Sequence, residues 1–186
     1  IGGYHGAKLR RYQDLYEHQI SKQNMSVLNM LNTKYFIVPD EQKQPVAQYN
    51  PNALGNAWFV NEYKLVANAD EELNALSDFD PSKIAIVDKR FESQLAVLPK
   101  RGANDTTNSY SVKLIDYKPN HLMYEANLAG NRLAVFSEIY YEKGWNAYVD
   151  GVLQPYFRAN YVLRSMIIPQ GNHKIEFKFN KKIHKN

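Results

Sequence analysis

The 186-residue chain is 44% hydrophobic and 13% aromatic, with 14 Tyr, 8 Phe and no Cys. That composition excludes an intrinsically disordered chain, which could not bury enough apolar surface to offset its ordering entropy, and it excludes disulfide frameworks, Cys-ligated zinc and thiol nucleophiles. The net charge of +4 equals that of the last sixteen residues, where five lysines face Glu176 alone, so the neutral remainder offers no basic stripe to nucleic acid.

In chain order, Leu9, Tyr12, Leu15, Tyr16 and Ile20 recur at three- and four-residue spacing and predict an amphipathic helix over Lys8–Ile20. Asn24 or Ser26 is placed to cap a second short helix through Val27, Leu28 and Leu31. Tyr35–Val38 reads as a buried strand stopped by Pro39, and the Gln-, Asn- and Pro-rich stretch Glu41–Gly55 as a loop. Ala57–Val66 has strand character. Asn68, with Glu71 three positions on, resembles a capping box for a short helix through Leu73 and Leu76. Ile84–Val87 is a further strand, and the polar stretch Pro99–Asn108 marks a boundary.

From Tyr110 the period becomes two. Leu122, Tyr124, Ala126 and Leu128 alternate with polar or half-polar neighbours, as do Ile175, Phe177 and Phe179 with Lys174, Glu176 and Lys178. Pro119-Asn120, Gly130-Asn131, Asp150-Gly151 and Gly171-Asn172 punctuate these segments as turn pairs. The reading is an α+β chain: N-terminal helices and short strands over residues 1–103, then an antiparallel β-sandwich or jelly-roll-like part over 104–186, the two forming either separate domains or one continuous domain.

Chemistry is sparse. No phosphate-cradling Gly-rich loop or Gly-x-Ser-x-Gly elbow is present, and the five His are scattered singly, so no catalytic residue, metal or cofactor is assigned. Glu138 and Glu142 are four apart. On one strand they would share a face at roughly 13 Å, too far for the two-carboxylate mechanisms of glycoside hydrolysis. The Tyr residues, Trp58 and Trp145 suit sugar stacking but suit a core edge better. No apolar run approaches the roughly 20 residues of a membrane helix, and the start at Ile1 without a signal peptide predicts a piece or mature form of something longer.

Gly144-Trp145-Asn146-Ala147-Tyr148-Val149-Asp150-Gly151 is followed at fixed distances by Asn160, Arg164, Pro169, Gly171, His173 and Phe177. This pattern resembles the carboxy-terminal extracytoplasmic signature of YfhO-like bacterial membrane proteins. Tyr12-Gln13-Asp14, Asn29 to Phe36 and Asn56 to Val60 also resemble the segment that follows the membrane helices in that family. The resemblance implies a large polytopic parent, a glycosyltransferase using lipid-linked sugars at the cell envelope, with its catalytic carboxylate in an early loop outside this chain. The implied partners are the parent's membrane helices and a glycan or lipid-linked sugar. A free-standing carbohydrate-binding module is the rival reading, and a secreted hydrolase using Glu138 or Glu142 a weaker one. Trp145, Asp150, Asn160, Arg164 and His173 are the binding candidates, while Asp150, Gly151, Pro169 and Gly171 have a structural account as turn residues, with Pro169–Asn172 opening a final hairpin. The basic end, Lys178–Lys185, is expected against a membrane surface just before an apolar span, although the positive-inside trend favours such charge on the cytoplasmic face.

Overall fold

A computed structural model describes residues 9–98 and 110–180. Helix α1 (Arg10–Leu15) continues as a π-helical turn over Tyr16–Ile20, and its buried positions, Leu15 and Gln19, lie four residues apart on one face. Helix α2 (Met25–Met30) is capped by Asn24, whose side-chain oxygen accepts from the Val27 N–H at 3.3 Å.

Strand β1 (Tyr35–Pro39) pairs antiparallel with β2 (Pro45–Tyr49) as a separate two-stranded hairpin. Here the structure corrects the sequence reading twice. The expected loop contains a strand, and the expected buried strand is solvent-facing, with Ile37 71% exposed. An apolar run of four has no periodicity to say which environment receives it, and the turn is closed locally by Asp40, which accepts from the Gln42 and Gln44 N–H groups.

The segment read as one strand from Ala57 to Val66 is two. Strand β3 (Ala57–Val60) pairs antiparallel with β8 (Arg132–Ile139), whereas β4 (Glu62–Val66) pairs parallel with β5 (Ile84–Asp88). Helix α3 (Ala69–Ala75) makes the crossover between β4 and β5 that a parallel pair requires. Its cap is the one expected: the Asn68 side chain accepts from the Glu71 N–H at 3.0 Å, and Glu71 reaches back to the Ala67 N–H at 2.9 Å. A 3₁₀ helix over Lys89–Leu95 follows. The expected boundary at Pro99–Asn108 lies outside the described residues.

Beyond it the chain is antiparallel. Strands β6 (Tyr110–Lys118), β7 (His121–Leu128), β9 (Trp145–Val149), β10 (Val152–Gln154) and β13 (Gly171–Phe179) form a five-stranded sheet in the order β10-β9-β13-β7-β6. Strands β11 (Phe157–Ala159) and β12 (Leu163–Ile168) join β8 and β3 in a four-stranded sheet ordered β11-β12-β8-β3. The expected final hairpin is absent: Gly171 is already in β13, opposite Leu128, and β12 and β13 belong to different sheets. Pro169 and Gln170 turn the chain from one sheet to the other. The turn chemistry was legible, but its use was not, because a turn residue reports a change of direction and not which strands then pair.

Strand β8 is buried on both faces. Leu133 and Val135 share a core with Leu15, Val27, Leu73, Ile86 and Tyr161, whereas Ala134 and Phe136 share a second core with Tyr124, Val149, Ile175 and Phe177 of the five-stranded sheet. The aromatic centre of that second core is edge-to-face, with Phe136 4.9 Å from Tyr124 and 5.0 Å from Phe177. The four-stranded sheet therefore sits between the five-stranded sheet on one side and the helices with β4–β5 on the other.

Candidate functional site

Asp150 and Gly151 form the two-residue loop between β9 and β10, with φ of 50° and 82°. Both values are positive, as a turn matching the right-handed strand twist demands. The Asp150 carboxylate reaches across to β13, where Oδ1 accepts from the Lys174 N–H at 2.8 Å and Oδ2 lies 2.7 Å from His173 Nδ1. His173 Nε2 lies 3.0 Å from the Gln170 carbonyl oxygen. Both ring nitrogens thus face acceptors, which only the imidazolium can satisfy. Burial pushes the His173 pKa down, but the hydrogen bonds to Asp150 and Gln170 outweigh it and hold the ring above its usual value. The bonds from His173 and the Lys174 N–H hold Asp150 below the ordinary carboxylate range. These two residues latch the β9–β10 turn onto β13.

Arg164, on β12, is 3% exposed, and its guanidinium lies 4.1 Å from the Trp145 ring centre and 5.2 Å from that of Phe177. Its Nε donates to the Ile139 carbonyl at 3.2 Å. The partly buried Trp145 also meets Phe179 edge-on at 5.5 Å. Gly144 permits that contact: its φ is +89°, and a Cβ there would lie 2.5 Å from Phe179 Cε2. Glu138, at the end of β8, is pushed up by burial and pulled down by the Arg164 charge. Strand β8 ends at Ile139, so Glu142 does not share its face, and the on-strand spacing used to judge the two carboxylates does not apply.

Asn160 follows β11 in a left-handed turn with Tyr161, at φ of 49° and 70°. Its N–H donates to the Ile86 carbonyl and its side-chain oxygen accepts from the Ile86 N–H, both at 2.8 Å. Asn160 thereby clasps β5 to the four-stranded sheet. The five binding candidates serve three separate contacts: Asp150 with His173, Trp145 with Arg164, and Asn160 with Ile86.

A further cluster escaped the sequence reading. Glu72, 0% exposed on α3, accepts from Arg11 Nη1 at 2.9 Å and from the Tyr161 N–H at 3.0 Å. Arg158 of β11 places Nη2 3.7 Å from Glu72 and 3.8 Å from Asp88. Asp88 Oδ2 lies 2.9 Å from Arg90 Nε, and Tyr161 donates its hydroxyl to Asp14 at 3.1 Å. Burial raises the Glu72 pKa against the lowering effect of Arg158 and Arg11. Beside this cluster opens a pocket of about 200 Å³, lined by Arg10, Arg11, Arg158, Tyr12, Tyr140 and Tyr161 with the apolar Leu9, Ile139 and Val162. No local signal in the sequence marks it: Arg158 stands between Phe157 and Ala159, and only the structure shows that strand buried throughout.

Among the described residues no helix is long and apolar enough to cross a membrane. The molecule is a β-rich unit whose motif residues bind its own turns and strands. Its carboxy-terminal segment, residues 100–185, matches the family model described as bacterial membrane protein YfhO. The upstream stretches that resemble the family lie before the matched residues. No curated protein and no solved structure matches the chain.

Proposed function

We propose that this chain is an extracytoplasmic segment of a polytopic YfhO-like membrane protein, a glycosyltransferase of the cell envelope using lipid-linked sugars, and that the segment is a non-catalytic scaffold. The family match supports the parent. The scaffold role rests on one observation: each motif residue is committed to an internal contact, Asp150 to His173, Arg164 to Trp145 and Asn160 to Ile86. The two sheets, sharing the core of Phe136, Tyr124 and Phe177, support reading the carboxy-terminal part as a β-sandwich. The pairing of β3 with β8 supports one continuous unit across residues 1–103 and 104–186. The basic end, Lys178–Lys185, is proposed to meet a membrane surface; Lys178 pairs with Glu176, as does Lys174 before it, and Lys181, Lys182 and Lys185 lie outside the described residues. As a free-standing sugar-binding module the chain would want an open aromatic face, and Trp145 instead packs against Arg164 and Phe179.

The test uses the parent protein in native membranes, with transfer from a lipid-linked sugar and thermal stability measured together for Asp150→Asn, His173→Gln and Trp145→Ala. A scaffold loses transfer only in step with stability. Transfer lost at unchanged melting temperature would place these residues in a binding site and overturn the reading.

A further inference from the structure

We infer that the outward face of the β1–β2 hairpin docks on the surface of a lipid bilayer, at the level of the headgroups. The inference rests on the membrane-embedded parent proposed above, and it names a contact that neither the motif residues nor the basic end supplies.

The hairpin is apolar where a solvated strand face is usually polar. Its register sets Tyr35 opposite Tyr49, Ile37 opposite Ala47 and Pro39 opposite Pro45, so these side chains share one face, and all of them are exposed. Tyr35 is 59%, Ile37 71% and Tyr49 62% exposed. Neither strand carries a Lys, Arg, Asp or Glu. On the other face Phe36 and Val38 are half-buried, so that face leans inward and the Tyr35–Ile37 face outward. The two strands pair only with each other, and a two-stranded hairpin is marginal in water on its own. Its root, however, is fixed. Asn50 Nδ2 donates to Asn29 Oδ1 and to the Thr33 carbonyl, each at 2.8 Å, and the Asn50 N–H donates to the Lys34 carbonyl at 2.8 Å. An apolar face held out on a fixed root calls for a partner.

Size, composition and position select a bilayer over a second protein. Strands of five residues at about 3.4 Å each, two strands wide at about 4.8 Å, give a face of roughly 160 Å². Even doubled for side-chain relief, this is well under the about 800 Å² per partner of a stable dimer. A membrane-anchored parent removes that difficulty, because the tether supplies the encounter and a weak contact then suffices. Pro39 and Pro45 stand opposite each other and take a backbone donor from each edge, which disfavours an added strand. Tyr35 and Tyr49, in edge-to-face contact at 5.6 Å, have the apolar ring and polar tip that suit headgroup depth. Asp40, Glu41 and Lys43 at the turn keep the hairpin from entering the hydrocarbon tip-first. The edge N–H and carbonyl groups likewise need the water that the interface retains. Position agrees. Ser137, near the end of β8, donates its hydroxyl to the Met30 carbonyl ahead of the hairpin and its N–H to the Asn56 carbonyl beyond it, both at 2.9 Å. Its neighbour Phe136 packs on Phe177, close to the end of β13. The hairpin root and the basic end therefore leave the two sheets at the same end.

The experiment uses the full 186-residue chain, whose lack of cysteine lets Ile37→Cys carry a single environment-sensitive dye. With phosphatidylcholine vesicles the dye emission should shift to the blue, half-completely on the order of 0.1–1 mM lipid, the strength of a single acyl anchor. The shift should be quenched by nitroxides borne on the lipid and unchanged by salt. A dye at Gln48→Cys, on the opposite face, should stay in water. Ala47→Lys puts a charge on the docking face at an exposed position and should weaken co-sedimentation of the unlabelled chain about tenfold, with an unchanged thermal melt. A dye at position 37 that stays in water, or an Ala47→Lys chain that binds as before, overturns the proposal. A blue shift that grows with protein concentration in the absence of lipid assigns the face to a second copy and overturns it too. In the parent protein in native membranes, a photo-reactive residue in place of Ile37 should capture lipid, and capture of the parent's own chain overturns the proposal. Binding to phosphatidylglycerol alone that salt abolishes, with the Ile37 dye in water, sinks the hairpin and leaves the basic end standing. The membrane-embedded parent is tested apart from all of these, by whether the parent protein stays with membranes through an alkaline wash.

Discussion

Asn160 is the sharpest test of how the motif works. Replacing it with Ala removes the acceptor of the Ile86 N–H, and Ile86 is 1% exposed, so that donor stays dry and unpaired at a cost of about 1–3 kcal/mol. Alanine at φ near +49° adds roughly 1–2 kcal/mol of left-handed backbone strain, which asparagine tolerates better through its local hydrogen bonding. Against this, the Asn160 side-chain nitrogen is itself buried without a partner, and losing it returns about 1 kcal/mol. The net loss should be about 1–4 kcal/mol, or roughly 2–16 °C in melting temperature for a chain of this size. Asn160→Gly deletes the same bond without the strain and should be milder than Ala by about 1 kcal/mol. Urea unfolding measured by Trp fluorescence gives both numbers, and hydrogen exchange should show the Ile86 amide deprotected in both variants. A loss under about 1 kcal/mol for Ala, or Gly as damaging as Ala, would refute the clasp or the strain respectively.

Two further outcomes follow from the β9–β10 turn. His173 is held above its usual pKa and Asp150 below, so the latch is at full strength from about pH 4 to about 6.5; it weakens as pH rises through the folded His173 value or falls through the folded Asp150 value. The Asp150→Asn and His173→Gln double-mutant cycle should therefore show a larger coupling at pH 5.5 than at 8.5, and equal couplings would mean the ring does not change its charge between them. Gly151→Val should cost roughly 1–3 kcal/mol in thermal melts from backbone strain alone, since φ is +82° and no atom lies within 4 Å of the added Cβ. A melt unchanged from the parent chain would show that the turn relaxes to negative φ.

Much of the local structure could be read from neighbours in the chain. Asn68 and Glu71 announced α3, Asp150-Gly151 announced a positive-φ hairpin, and the alternation of Leu122 to Leu128 and of Ile175 to Phe177 marked strands that bury those residues. Each signal spans fewer than about ten residues, the range over which helix and strand periods, caps and turns act. The exposure of β1, the break between β3 and β4, and the passage of Pro169–Gly171 between sheets were settled by which distant strand each segment pairs with. No local period records that choice. The candidate site shows the same division. The motif could be read, but that Asp150 meets His173 and Arg164 covers Trp145 is a product of sheet register. The Arg158 pocket needed the tertiary structure altogether, because Arg11, Glu72, Asp88 and Arg158 come from four elements far apart in sequence. Individually each looks like an ordinary polar residue on a helix or strand. Only packing removes water from them, and only then do three guanidinium groups around two carboxylates leave one set of donors unsatisfied.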